Sequence, residues 1–148
     1  MQDLTVTKYL EDDHRRLDAI AQEVGRRLGV RAFSDAARSF GEFAVGLNRH
    51  IDAEEQVLFP TFERLTGGPG GPTIVMRSEH VDIRQLMKDV SGALRDENAS
   101  LASQKLGELV ELLGAHNRKE EGMLYPVADG ALGTPAARAA LVREMQAI

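Results

Sequence analysis

Six residues carry the side chains that could do chemistry together: His14, His50, Glu54, His80, His116 and Glu120. The four histidines are all that the chain contains, and it has no cysteine. Imidazole and carboxylate without thiolate suit Fe, Mn or Zn and disfavour Cu(I). Their spacing repeats. His14 and His80 are 66 residues apart, and the same offset relates His50 to His116 and Glu54 to Glu120. Within His50-x-x-x-Glu54 and His116-x-x-x-Glu120, a helix turns about 400°, so the two side chains stand about 40° apart and one turn along. Glu55 and Glu121, five residues after their histidines, lie about 140° round and are expected to face solvent. A local bulge would reverse the choice between each glutamate and its neighbour. Asp13 and Glu79 each precede a histidine by one step, about 100° round a helix, and are also expected at the surface.

A single buried histidine is more often a hydrogen-bonded core residue than a ligand. The six together, in repeated register, point to metal. Four imidazoles and two carboxylates suit two ions better than one, with both carboxylates shared as bridges and two histidines capping each ion. Two ferrous ions, two glutamates and a bridging oxo or hydroxo group leave a small net charge, about +1 with hydroxide, and positions open to a small ligand.

The elements that must position these residues are helices. Leu10, His14, Leu17, Ala21, Val24 and Leu28 recur at the spacing that keeps one helix face inward, as do Phe40, Phe43, Leu47, His50, Glu54 and Val57. Met76, His80, Ile83, Met87, Val90 and Leu94 repeat the first set, and Leu106, Leu109, Leu113, His116, Glu120 and Met123 the second. Every inward position is apolar except the six. Unpartnered polar groups cost roughly 2–7 kcal/mol each to bury, and unpaired carboxylates far more. Breaks fall near residues 29–34 and 96–100, with Ser34 and Ser100 as expected N-caps. Thr134-Pro135 predicts a short fifth helix. The halfway points of 14 and 50 (Ala32) and of 80 and 116 (Asn98) fall in the expected turns, so His14 should face His50, and His80 should face His116. The halfway point of 50 and 80 is Leu65, and a bend after Pro60 is expected to absorb the mismatch. The fold expected is an all-α, antiparallel up-down four-helix bundle with a short C-terminal fifth helix.

The Gly/Pro loop 67–72 divides the chain, and residues 9–66 match 75–132 at the fixed offset, which reads as an internal duplication within one domain spanning 1–148. The 148 residues suffice for one core. The absence of cysteine excludes disulfides, thiolate metal sites and thiol nucleophiles. A net charge of −5, without blocks of Lys or Arg, argues against nucleic-acid or anionic-membrane partners. No signal sequence or membrane span is visible, and a reducing cytoplasm is the expected setting.

The set His14, His50-x-x-x-Glu54, His80 and His116-x-x-x-Glu120 resembles the signature of the hemerythrin-like, or HHE cation-binding, family, as do the flanking segments Glu54–Pro60 and Glu120–Pro126. The resemblance spans roughly residues 9–126. It implies a hemerythrin-like bundle around a non-haem di-iron centre with bridging glutamates, open to dioxygen, peroxide or nitric oxide. Oxygen-carrying hemerythrins have a fifth histidine one turn before the third-helix histidine. Here that position is Met76, whose partner at the offset is Leu10, so it reads as packing. The carriers also place their closing acid five residues after its histidine, where helix geometry here selects Glu120 at four. These departures favour redox turnover of peroxide or nitric oxide, or iron oxidation, over reversible oxygen carriage. The alternative is a non-catalytic module that binds, stores or senses oxygen or iron. Tyr9 and Tyr125 are candidates to supply a proton or hydrogen bond beside the site, with ordinary packing as the other reading.

Overall fold

The computed structural model describes residues 4–68 and 70–148; Pro69 of the Gly/Pro loop and the first three residues lie outside the described residues. Helix α1 (Val6–Gly29) begins where Thr5 accepts a hydrogen bond from Lys8 N. The Asp129 carboxylate, 122 or more residues away in sequence, accepts from Val6 N and Thr7 N, tying this helix start to the far end of the chain. Helix α2 (Phe33–Ala53) runs through a widened π turn (Glu54–Leu58) into α3 (Phe59–Leu65). After the loop, α4 (Pro72–Arg95) leads to α5 (Ala99–Lys119), which continues through a second π turn (Glu120–Leu124) into α6 (Tyr125–Leu132). The boundaries of α4, α5 and the second π turn lie 66 residues beyond those of α1, α2 and the first. The expected fifth helix is α7 (Pro135–Gln146), with the Thr134 hydroxyl accepting from Ala137 N. Among the described residues there is no strand.

α1 packs on α2 and α5, and α4 packs on the same two, which closes the four long helices into an up-down bundle. α7 lies against α1, the first π turn and α6, and its Leu141, Val142 and Met145 are buried there. It covers one end of the bundle. Apolar contacts divide into two clusters, one from Leu17, Phe43, Ile83 and Leu109 outward, the other around Leu10, Leu58, Met76 and Leu124. Met76 is buried in the second cluster, as the packing reading expected. The polar layer interrupts the core between them on all four long helices.

Three local expectations are corrected. Helices α2 and α5 start before Ser34 and Ser100: their N-caps are Ala32, which makes no side-chain cap bond, and Asn98, whose side chain accepts from Leu101 N. In both turns the residue before the cap adopts a left-handed conformation (Arg31 φ 56°, Glu97 φ 53°), which reverses the chain within three residues. Instead of a bend after Pro60, the helix continues to Leu65, and the accommodation lies upstream of the proline. Proline cannot donate to the ladder and its ring crowds the carbonyl four residues back, so the turn ahead of it widens. Phe59 N–H reaches Glu54 O and Tyr125 N–H reaches Glu120 O, each across five residues, just before Pro60 and Pro126. The extra residue also shifts the inward register. Leu58 and Leu124 are buried where Val57 and Met123 were expected, and Met123 is 42% exposed.

Candidate metal centre

All six candidate side chains are buried and converge on one polar layer. The rings of His14 and His50 are 4.7 Å apart between centroids, and those of His80 and His116 4.8 Å, so each pair faces as expected. Across the middle of the bundle the levels differ from the halfway rule applied to histidines. Glu54, rather than His50, stands level with His80 (Oε1 to Nε2, 3.2 Å), and Glu120 stands level with His14 (Oε1 to Nε2, 3.2 Å). The bulge foreseen as a complication is present, yet each π turn begins at its glutamate. Glu54 and Glu120 therefore keep the inward direction set by α2 and α5.

Glu55 and Glu121 do not simply face solvent: Glu55 accepts from His80 Nδ1 at 2.7 Å, and Glu121 accepts from His14 Nδ1 at 2.7 Å. Asp13 and Glu79 are likewise engaged, Asp13 accepting from His50 Nδ1 at 2.8 Å and Glu79 from His116 Nδ1 at 2.9 Å. The surface expectation treated each helix as having one inner and one outer face. In a bundle every helix has two neighbours, and a residue about 100° from the seam lies in the groove shared with one of them. A signal was available: the four acids obey the same 66-residue offset as the histidines they support.

An ionised carboxylate can only accept, so each Nδ1 carries a proton and each Nε2 is turned into the shared interior. This is the arrangement that orients histidine toward a metal and raises its basicity. Neighbouring charge acts in the same sense. Burial disfavours a charged His50, but the Glu54 carboxylate and the Asp13 hydrogen bond outweigh it and push its pKa up to about 10. For His116, hydrogen bonding and attraction from Glu120 outweigh burial and push it up to about 9. Asp13 and Glu79 are held below the usual carboxylate range: burial opposes this, but His50 and Arg16 outweigh it at Asp13, and Lys119 and His116 at Glu79. Glu54 is held well below it despite complete burial, chiefly by His50. Two buried carboxylates thus draw positive charge into the layer, and protons and metal cations compete to supply it.

The residues fit a metal. Glu54 Oε1, His80 Nε2 and Glu120 Oε2 are buried without any hydrogen-bond partner; the 3.2 Å approach of His80 Nε2 to Glu54 Oε1 is not aligned to form one. Such atoms are costly to bury unless something binds them. Donor atoms of Glu54, His80, His116 and Glu120 lie within 4.8 Å of one another, as do those of His14, His50 and Glu120. A family model, the hemerythrin HHE cation-binding domain, matches residues 5–128. The chain belongs to the hemerythrin HHE family. A curated relative, a protein of Nostoc sp. strain PCC 7120 named a DNA nickase, is 22% identical over 124 residues, covering 84% of this chain and 33% of that protein. The chain thus spans about a third of that relative's length. No solved structure matches it.

Of the two tyrosines, Tyr125 belongs to this HHE layer and Tyr9 does not. Tyr125 is fully buried, and its hydroxyl lies 2.6 Å from Glu54 Oε2 and 2.8 Å from Glu120 Oε1. Burial and both glutamates push its pKa well above the usual value, so it stands as a neutral O–H donor. Tyr9 is half-buried and lines an open cleft of about 790 Å³ together with Asp13, Arg16, Arg49 and Met145; His50 also borders this cleft. No helix among the described residues is long and apolar enough to cross a membrane.

Proposed function

We propose that His14, His50, Glu54, His80, His116 and Glu120 hold two iron ions bridged by the two glutamates, and that the centre reacts with a small oxidant such as peroxide, dioxygen or nitric oxide. The observation that carries this reading is the uniform orientation of the histidines: four Nδ1 atoms are tied to four carboxylates, and four Nε2 atoms are turned toward two buried glutamates. Iron held there would supply a redox couple able to exchange electrons with a small ligand. Mn or Zn would fit the same donors.

The chain's own groups divide the remaining work. Asp13, Glu55, Glu79 and Glu121 fix the rings against rotation and keep the Nδ1 protons in place. The apolar clusters on either side of the layer exclude bulk water, which strengthens every charge interaction within it. Tyr125 holds a proton at Oη, 2.6 Å from Glu54. Met76 packs where the oxygen carriers have a further histidine, which leaves fewer nitrogen donors and favours turnover over reversible carriage. We also propose that the two halves arose by duplication, since their helix boundaries follow the same offset as their site residues.

Metal analysis of the protein saturated with excess iron, with anomalous scattering at the iron edge, tests the premise; one ion per chain under those conditions, or zinc alone, would sink it. Turnover is then separated from storage by adding oxygen to the diferrous protein. Rapid conversion to a stable diferric state, with oxygen evolved from added peroxide, supports turnover. A persistent oxygenated band without peroxide turnover supports the binding module.

A further inference from the structure

At one pair of positions the duplicated layer has a polar atom in one half and none in the other. The 66-residue partner of Tyr125 is Phe59, and both are fully buried. Phe59 stacks on His80 with ring centroids 5.6 Å apart and brings no polar atom to that half. Tyr125 instead places its hydroxyl among the donors of the other half. Beyond the two carboxylates, Oη lies 3.2 Å from His14 Nε2 and 3.4 Å from His50 Nε2. It is therefore surrounded by the four atoms that an ion between His14 and His50 would use. Metal–nitrogen and metal–oxygen bonds run about 2.0–2.2 Å, so an ion and this oxygen compete for the same small space.

The unpartnered atoms show the consequence of this difference. Glu54 Oε1, His80 Nε2 and Glu120 Oε2 all belong to the four-residue group of the His80 half. In the His14 half, the matching carboxylate oxygens are already engaged by the tyrosine, and the convergent group there has three residues.

We infer that the two metal positions are unequal: the His80/His116 position is ready-made and fills first, whereas the His14/His50 position is held by the Tyr125 hydroxyl, which the second ion must displace. This rests on the metal-binding reading above and assigns it an order. Displacement breaks the hydrogen bond that the single Tyr125 proton makes to the buried carboxylates, so the second ion should bind about 10- to 100-fold more weakly than the first. A mononuclear form, with metal on the His80 side, should then be isolable at one equivalent.

The test is stepwise titration of the full chain with Co²⁺, followed by calorimetry and by the visible absorption of the bound ion. Two resolved steps are expected. Tyr125→Phe should leave the first step within about threefold and strengthen the second about tenfold, closing the gap. Phenylalanine already occupies the equivalent place in the other half, and circular dichroism checks that the variant folds. His14→Ala should keep the tight step and lose the weak one; His80→Ala should lose the tight one. Two equivalents bound in a single step by the wild type would overturn the inequality while leaving metal binding intact. A second step weakened by Tyr125→Phe would make the hydroxyl a ligand rather than a competitor, which also overturns the inference. Failure of the wild type to bind Co²⁺ at all would refute the metal reading itself.

Discussion

Replacing Glu55 by Gln tests whether an acid one residue outside the seam serves the site. Its Oε2 accepts from His80 Nδ1 at 2.7 Å, and Gln offers a carbonyl of the same reach but no charge. The ring can stay in place; what is lost is the anion that holds the Nδ1 proton and makes Nε2 a better donor. Removing such a partner costs about 10- to 100-fold in metal affinity. Glu55 is partly exposed, its side chain 29% accessible, so screening places the loss near the lower end, about 10- to 20-fold. Glu55→Ala also removes the acceptor and should reach the upper end. Glu121→Gln is the counterpart by offset and acts on His14. Under the inferred loading order, the Glu55 variant should weaken the first Co²⁺ step and the Glu121 variant the second. Calorimetric titration against a competing chelator reads both, with the exposed Glu108→Gln as a charge-matched control. If Glu55→Gln bound metal within twofold of the wild type, as the control should, the supporting role argued for these four acids would be wrong.

Three further outcomes follow from the same geometry. Glu54→Ala should drop bound iron below two per chain by elemental analysis, and should lower the unfolding midpoint because charged His50 loses its buried partner; an unchanged iron content would refute the bridge. Without metal, His50 and His116 have pKa values raised from 6.5 to about 10 and about 9, so the stability they contribute is fully present below about pH 6.5 and lost as pH rises through 9 to 10. Urea unfolding of the metal-free protein should show a lower midpoint at pH 10 than at pH 6.5; a rising midpoint would contradict the assignment. Leu124→Ala should cost about 2–5 kcal/mol and Met123→Ala no more than about 0.5, an order that an unwidened helix would reverse in thermal denaturation.

The bundle and its six-residue layer were legible from the sequence because both rest on periodicity. A spacing of three and four keeps a residue on the seam whatever helix lies opposite, and a buried histidine or glutamate on a seam demands partners wherever it occurs. The halfway rule placed His14 opposite His50 because tight turns leave little freedom. Positions off the seam were a different matter. Whether Asp13, Glu55, Glu79 and Glu121 meet water or a histidine depends on which helix lies alongside, and that is settled only when α1 packs between α2 and α5. The widened turns had a local cause in Pro60 and Pro126, but the one-residue shift that buried Leu58 and Leu124 also required the core to accept it. The chain's own pattern thus determined the fold and the candidate donors. The sequence also carried the Tyr125/Phe59 difference, but tertiary packing decided which acids support the histidines and where that one oxygen lies, because both depend on how four helices meet.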